Sequence, residues 1–169
     1  SGCSSLTKAP VIPEGVTSIG SSACWECSNL ISVNMPDSIK TIGDAVFLRC
    51  SSLRTIEIPD GVTSMGDSVF SGCSSLTTLD ISRFDTSAAT TMATMFYNVG
   101  LTDLDLSNFN TSKVTTMSQM FNNSASLASL DLSSFDTSKV TSMSAMFYGC
   151  AALATIKLGS NFIISSATS

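Results

Sequence analysis

The chain has no histidine. That removes Ser-His and Cys-His nucleophilic catalysis, the usual imidazole acid or base, and most zinc and iron sites. Charge is scarce as well: 8 Lys+Arg against 13 Asp+Glu leave a net charge of −5 and no clustered cations, so a nucleic-acid partner is not expected. No stretch approaches the roughly 18 consecutive apolar residues of a membrane-spanning helix, so membrane insertion of this segment is not expected either. Calcium-coil wording such as Gly-Gly-x-Gly-x-Asp is also missing. No catalytic, cofactor-binding or metal-ligating residues are therefore expected, and most enzyme classes are set aside.

What the chain has instead is hydroxyls and repetition. Ser and Thr number 33 and 19 of the 169 residues, enough for two Asn-x-Ser/Thr sequons, at Asn110 and Asn122, to arise by chance. The hexamer Ser1-Gly2-Cys3-Ser4-Ser5-Leu6 recurs as Ser71-Gly72-Cys73-Ser74-Ser75-Leu76. Between the two copies Cys27, Cys50 and Cys73 fall 23 apart, as do Leu30, Leu53 and Leu76, and Pro13, Pro36 and Pro59. Beyond Leu76 the wording changes and the period lengthens: Leu79, Leu104, Leu130 and Ile156 are 25 or 26 apart, as are Phe84, Phe109 and Phe135, and Phe96, Phe121 and Phe147. Both types open on Leu-x-x-apolar-x-apolar, as in Leu53 to Ile58 and Leu101 to Leu106.

A period of 23 to 26 with that opening reads as a leucine-rich repeat, one short strand per coil stacked in parallel on its neighbours. The expected fold class is α/β: a right-handed leucine-rich-repeat solenoid of about seven coils with a parallel β-sheet on the concave face. Short strands and 3₁₀ or helical segments are expected on the convex face, because Asp or Ser precedes apolar residues three apart, as at Val140, Met143 and Met146. The chain reads as one repeat array over 1–169, with 23-residue coils over about 3–75, coils of 25 to 26 over about 76–162, and a tail at 163–169. Residue 1 opens in mid-phrase, so a monomeric piece of a longer protein is expected.

Ile42-Gly43-Asp44-Ala45-Val46-Phe47-Leu48-Arg49-Cys50-Ser51-Ser52-Leu53, followed by Ile58-Pro59-Asp60-Gly61-Val62, resembles the BspA-type leucine-rich repeat of bacterial surface proteins. The phrases from Leu130 to Thr141 and from Met143 to Phe147 are similar to a second repeat, of 25 to 26 residues, common in bacterial surface proteins and lipoproteins. The resemblance implies a cell-surface or secreted protein concerned with adhesion. It carries over no reaction, no cofactor and no catalytic residue.

Any recognition surface is expected on the strand face. Its outward positions form two columns, Asn34, Glu57, Asp80, Asp105, Asp131 and Lys157 in one, and Ser32, Thr55, Thr78, Asp103, Ser129 and Thr155 in the other. The candidate partner-binding residues are Glu57, Asp80, Asp103, Asp105, Asp131, Thr55, Thr78 and Ser129. Carboxylates stacked about 5 Å apart repel by about 0.8 kcal/mol per neighbour even in water, which suits a basic partner or cations. The competing reading is a solvated row that keeps an exposed sheet from sticking to others. Cys24-Trp25-Glu26-Cys27 has the spacing of a redox pair, but Cys27 is a rung of the cysteine file and Cys24 stands where Phe47 and Phe70 do, so both read as small buried residues. The paired methionines read as core filling. The sequence thus points to a non-catalytic extracellular module adhering to a protein or glycan; the alternative is a stalk or spacer that displays a neighbouring domain.

Overall fold

The computed structural model describes residues 2–164. The strands are β1 (Ser18–Ile19), β2 (Ser32–Val33), β3 (Thr41–Ile42), β4 (Thr55–Ile56), β5 (Ser64–Met65), β6 (Ser129–Leu132) and β7 (Thr155–Leu158). Every pairing is parallel and joins equivalent letters of the repeat: Ser18 to Thr41 and Thr41 to Ser64, Ser32 to Thr55, and Leu130 to Ile156. Strands β2, β4, β6 and β7 come from the Leu-x-x-apolar phrase. Strands β1, β3 and β5 come from the Thr-Ser phrase one stretch later, and the parallel bridges Thr91 to Thr116 to Ser142 repeat their pairing in the longer coils.

The third stretch of each coil, Gly20 to Cys27 and its equivalents, is a run of turns. Alternate backbone N–H groups leave the coil: those of Thr94, Phe96 and Asn98 donate to the carbonyls of Ser118, Met120 and Asn122, at 3.0, 2.9 and 2.7 Å. The N–H groups between them close short local turns, as Tyr97 does onto the Thr94 carbonyl at 3.1 Å. Two residues four positions apart in each such run hold left-handed backbone, for example Ala45 (φ 53°) with Arg49 (φ 62°), and Gln119 (φ 57°) with Asn123 (φ 60°).

This geometry corrects the expected α/β class. Among the described residues there is no α-helix and no 3₁₀ segment, and the strands form three small parallel sheets, β1-β3-β5, β2-β4 and β6-β7, instead of one sheet curling round a concave face. A helix keeps every N–H for its own chain and holds φ negative throughout. Here half of the N–H groups are given to the next coil, and each run is broken twice by positive φ. Apolar residues three apart point inward in this staircase of turns as they would from a helix, which is why the spacing misled.

The core is one file per letter. Leu30, Leu53 and Leu76 are buried, as are Met92 and Met117, and Met95, Met120 and Met146. Phe47 stacks on Phe70 with ring centroids 6.2 Å apart. In the longer coils Phe96, Phe121 and Phe147 stack at 5.8 and 5.9 Å, and Phe135 lies parallel to Phe109 at 6.4 Å. Each such pair contributes about 0.5–1.5 kcal/mol beyond the area it buries.

Hydrophilic files run through the same core. The thiols of Cys50, Cys73 and Cys150 donate to the carbonyls of Cys24, Phe47 and Phe121, and the Ser124 hydroxyl fills the same role toward the Phe96 carbonyl at 2.6 Å. Thr86, Thr111 and Thr137 are buried, and each hydroxyl serves the next coil twice. Thr111 Oγ1 donates to the Asp136 carbonyl at 2.9 Å and accepts from the Asp136 N–H at 2.8 Å. Thr137 treats Ile163 alike, so part of the expected tail is bound into the stack. Residues 165–169 of that tail lie outside the described residues.

Candidate partner-binding face

Alternation along the strands positions the candidate side chains. In β6 the order Ser129-Leu130-Asp131-Leu132 is exposed, buried, exposed, buried, so Ser129 and Asp131 stand outward while the leucines seal the core. Thr55 is exposed in β4 beside Ser32, Ser129 faces Thr155, and Asp131 faces Lys157. Glu57, Thr78, Asp80, Asp103 and Asp105 are likewise exposed. Asp103 turns one carboxylate oxygen back to accept the Leu104 N–H at 3.0 Å.

Asp80, Asp105 and Asp131 form a file with a shared local structure. Each accepts, through Oδ1, the backbone N–H two residues on: Ser82 at 3.0 Å, Ser107 at 2.9 Å and Ser133 at 2.9 Å. These are Asx turns, in which the side chain stands in for a backbone carbonyl. The bonds hold the carboxyls of Asp80 and Asp105 below the usual carboxylate range, and the Asp131 and Asp80 charges push Asp105 partly back. The coils are in register here: the Ala128 N–H, three residues before Asp131, donates to the carbonyl of Thr102, three residues before Asp105, at 3.4 Å. Asp131 is drawn down furthest, to about 2, by the Lys157 ammonium at 2.8 Å and then by Ser133. A second ion pair, Arg83 with Asp60, lies three coils earlier.

The structure places Asp80, Asp105 and Asp131 in successive coils, and Thr55 and Glu57 stand one coil before Thr78 and Asp80, since the Thr77 N–H donates to the Arg54 carbonyl at 3.3 Å. The Asx turns were legible but unread: Asp80-Ile81-Ser82, Asp105-Leu106-Ser107 and Asp131-Leu132-Ser133 share one wording, and Asp85-Thr86-Ser87, Asn110-Thr111-Ser112 and Asp136-Thr137-Ser138 share another. The second file makes the same turns, at 2.8, 3.1 and 2.9 Å. Asx turns and Ser/Thr motifs favour the non-helical backbone seen there.

The remaining candidates fall into place around this face. Cys24 is half-buried and Cys27 buried, both free, and burial pushes the Cys24 thiol up, away from the thiolate a redox pair needs. Of the sequons, Asn122 is buried with its amide donating to the Ala145 carbonyl, while Asn110 is exposed and closes its turn onto Ser112. Among the described residues no three His, Cys, Asp or Glu side chains gather closely enough to hold a metal ion.

Among solved structures, a leucine-rich repeat protein from Bacteroides ovatus superposes with a TM-score of 0.63 at 24% identity, over 95% of this chain and 39% of that one. A leucine rich cell surface protein from Faecalibacterium prausnitzii gives 0.47 at 28% identity, over 89% and 31% of the two chains. The Treponema pallidum leucine rich repeat protein gives 0.48 at 21%, over 92% and 68%. The chain thus spans about two fifths of the first of these proteins and less than a third of the second. No curated protein matches it. Residues 63–168 match the family DUF285, described as a Mycoplasma protein of unknown function. Residues 1–115 match six copies of the BspA type leucine rich repeat region. With the letters of those copies found one above another in the stack, the chain belongs to the BspA-type leucine-rich-repeat family.

Proposed function

We propose that the chain acts at the cell surface as a non-catalytic binding module, and that its partner meets the face carrying Asp80, Asp105 and Asp131, flanked by Glu57, Asp103, Thr55, Thr78 and Ser129. The observation that carries this reading is the file of exposed carboxylates set in the same turn of successive coils, of which only Asp131 bears an ion pair among the described residues. Membership of the BspA-type family supports the surface location and the absence of a reaction. A carboxylate file of this kind selects a partner with a complementary basic surface, and it acts on encounter rate and specificity more than on affinity alone.

The test uses asparagine, because Asn110 closes a turn of the same kind in the second file without a charge. The triple variant Asp80→Asn, Asp105→Asn, Asp131→Asn keeps the turn acceptors and removes three charges. Surface plasmon resonance of the whole chain over a panel of immobilised extracellular-matrix proteins reads the outcome. Binding that weakens at least about tenfold in the variant, and in high salt, supports the proposal. Binding equal in both proteins moves the contact elsewhere, and no binding to any member favours a spacer.

A further inference from the structure

Away from the acidic face, the described residues form a groove of about 910 Å³, within the usual size range for a ligand site. It runs along the stack where the turn runs meet the Ser-rich phrases, and its lining draws on successive coils from Gly2 and Ser4 to Gln119. At about 4.8 Å per coil the five steps make it about 24 Å long. We infer that this groove is a second binding site, built for a linear, uncharged carbohydrate chain lying along the stacking axis with a sugar ring on Tyr97.

Three features select that ligand. The first is charge: among the described residues of the lining Arg49 is the one cation and Glu26 the one anion, and they pair with each other at 2.8 Å, so the described lining carries no unpaired charge for a polyanion or a basic protein. The second is the lining, hydroxyls such as Ser51 and Ser74 and the amides of Asn98 and Gln119, which donate to and accept from hydroxyl groups. Tyr97 supplies an aromatic face beside them, its hydroxyl held by the Asn123 amide at 3.4 Å. Flat apolar faces with polar rims are what sugar rings offer in return. The third is the backbone: the N–H groups of Glu26, Arg49, Gly72 and Asn98 are all spent on the next coil, at 2.8, 2.7, 2.7 and 2.7 Å. An extended peptide could not add to the groove as a strand, since no free edge is offered.

The groove owes its form to one file of the repeat. Glu26, Arg49, Gly72 and Asn98 are equivalent left-handed positions, and Gly72 (φ 79°), without a side chain, lets Arg49 pack closely against it. A Cβ there would lie 3.2 Å from the Cα of Arg49. The acidic file is absent from the lining, so this site is separate from the proposed protein-binding face.

Isothermal titration of the whole chain with neutral linear hexasaccharides of glucose, mannose, xylose and N-acetylglucosamine tests the inference. At least one should bind, and Tyr97→Ala should weaken it about tenfold, or about 1.4 kcal/mol, while Tyr97→Phe largely keeps it. Ser74→Trp, an exposed site where folding is not at stake, should block it equally. The Asp80, Asp105, Asp131 triple asparagine variant should leave it unchanged, so the two proposals stand or fall apart. No binding by any of the four sugars, binding indifferent to Tyr97→Ala and Ser74→Trp, or competition for the groove by a neutral Ser/Gly decapeptide would overturn it.

Discussion

The 23-residue coils and the 25-to-26-residue coils solve one problem with different material. Four positions separate the end of the strand phrase, Ile58, from the next core valine, Val62; eight separate Leu132 from Val140. The short link is Pro59-Asp60-Gly61, a tight turn. The longer link, Ser133 to Lys139, brings in a second aromatic file at Phe84, Phe109 and Phe135, the buried hydroxyls of Thr86, Thr111 and Thr137, and a second set of Asx turns. The comparison teaches that lengthening a coil need not make a looser loop. The added residues are themselves stacked, the rings on their equivalents and each buried threonine hydroxyl bonded to the backbone of the next coil.

The sharpest way to break that comparison is to remove one ring from each half. Phe109→Ala should cost about 3–5 kcal/mol, and more than Phe47→Ala, because Phe109 meets Phe84, Phe96 and Phe135 whereas Phe47 stacks on Phe70 alone. Urea denaturation midpoints of the two variants give the answer. Equal losses would show that the second file adds no stability of its own.

Next in size is the hydroxyl rung. Thr111→Val preserves shape and strands the Asp136 carbonyl and N–H, so it should cost about 1–3 kcal/mol, with Thr111→Ser recovering most of the loss. The same denaturation experiment reads both, and a neutral Thr111→Val would mean that the rung is decorative.

Acid should then separate the halves. Asp85, Asp105, Asp131 and Asp136 lie in the longer coils with folded values below the ordinary 3.8, held down by turn bonds and, for Asp131, first by Lys157. Their stabilising contribution is complete above the unfolded value and is lost as pH falls through the folded values, the lowest of which is about 2. Asp67, in the shorter coils, has the opposite sign: burial and the Asp44 charge raise it, so its protonation favours the fold as pH falls. A proton–nitrogen correlation titration from pH 5 to pH 2 should show the signals of Ser87, Ser107, Ser133 and Ser138 losing their native positions before those of Cys50 and Leu53.

The smallest effect concerns the thiols and should leave stability untouched. Burial pushes the Cys50 thiol up to about 12 and raises Cys73 as well, while Cys3 is exposed. Iodoacetamide at pH 8 followed by mass spectrometry should find Cys3 modified and Cys50 and Cys73 intact in the native protein. Rapid modification of Cys73 would contradict the closed file.

How far the sequence could be read follows from these elements. Regular spacing announced the apolar files, from Leu30-Leu53-Leu76 to Phe96-Phe121-Phe147, because a repeat places equal letters at equal positions in space. Outward columns followed from alternation, as β6 displays. The staircase of turns was hidden, because the distinction between an N–H bonded within its coil and one bonded across coils leaves no trace in apolar spacing. Its residues with positive φ, such as Ala45, Ser68 and Gln119, carry no common side chain that would have announced it. The groove was hidden for a related reason: it joins Glu26, Arg49, Gly72 and Asn98, one file whose letters all differ.

The central claim is that equivalent residues of successive coils are neighbours. Two-dimensional nuclear Overhauser spectroscopy on the 17.6 kDa chain tests it directly. Cross-peaks should link the rings of Phe96 with Phe121 and of Phe121 with Phe147, and should run from Thr116 to both Thr91 and Ser142. A folded protein that shows none of these contacts would contradict the account.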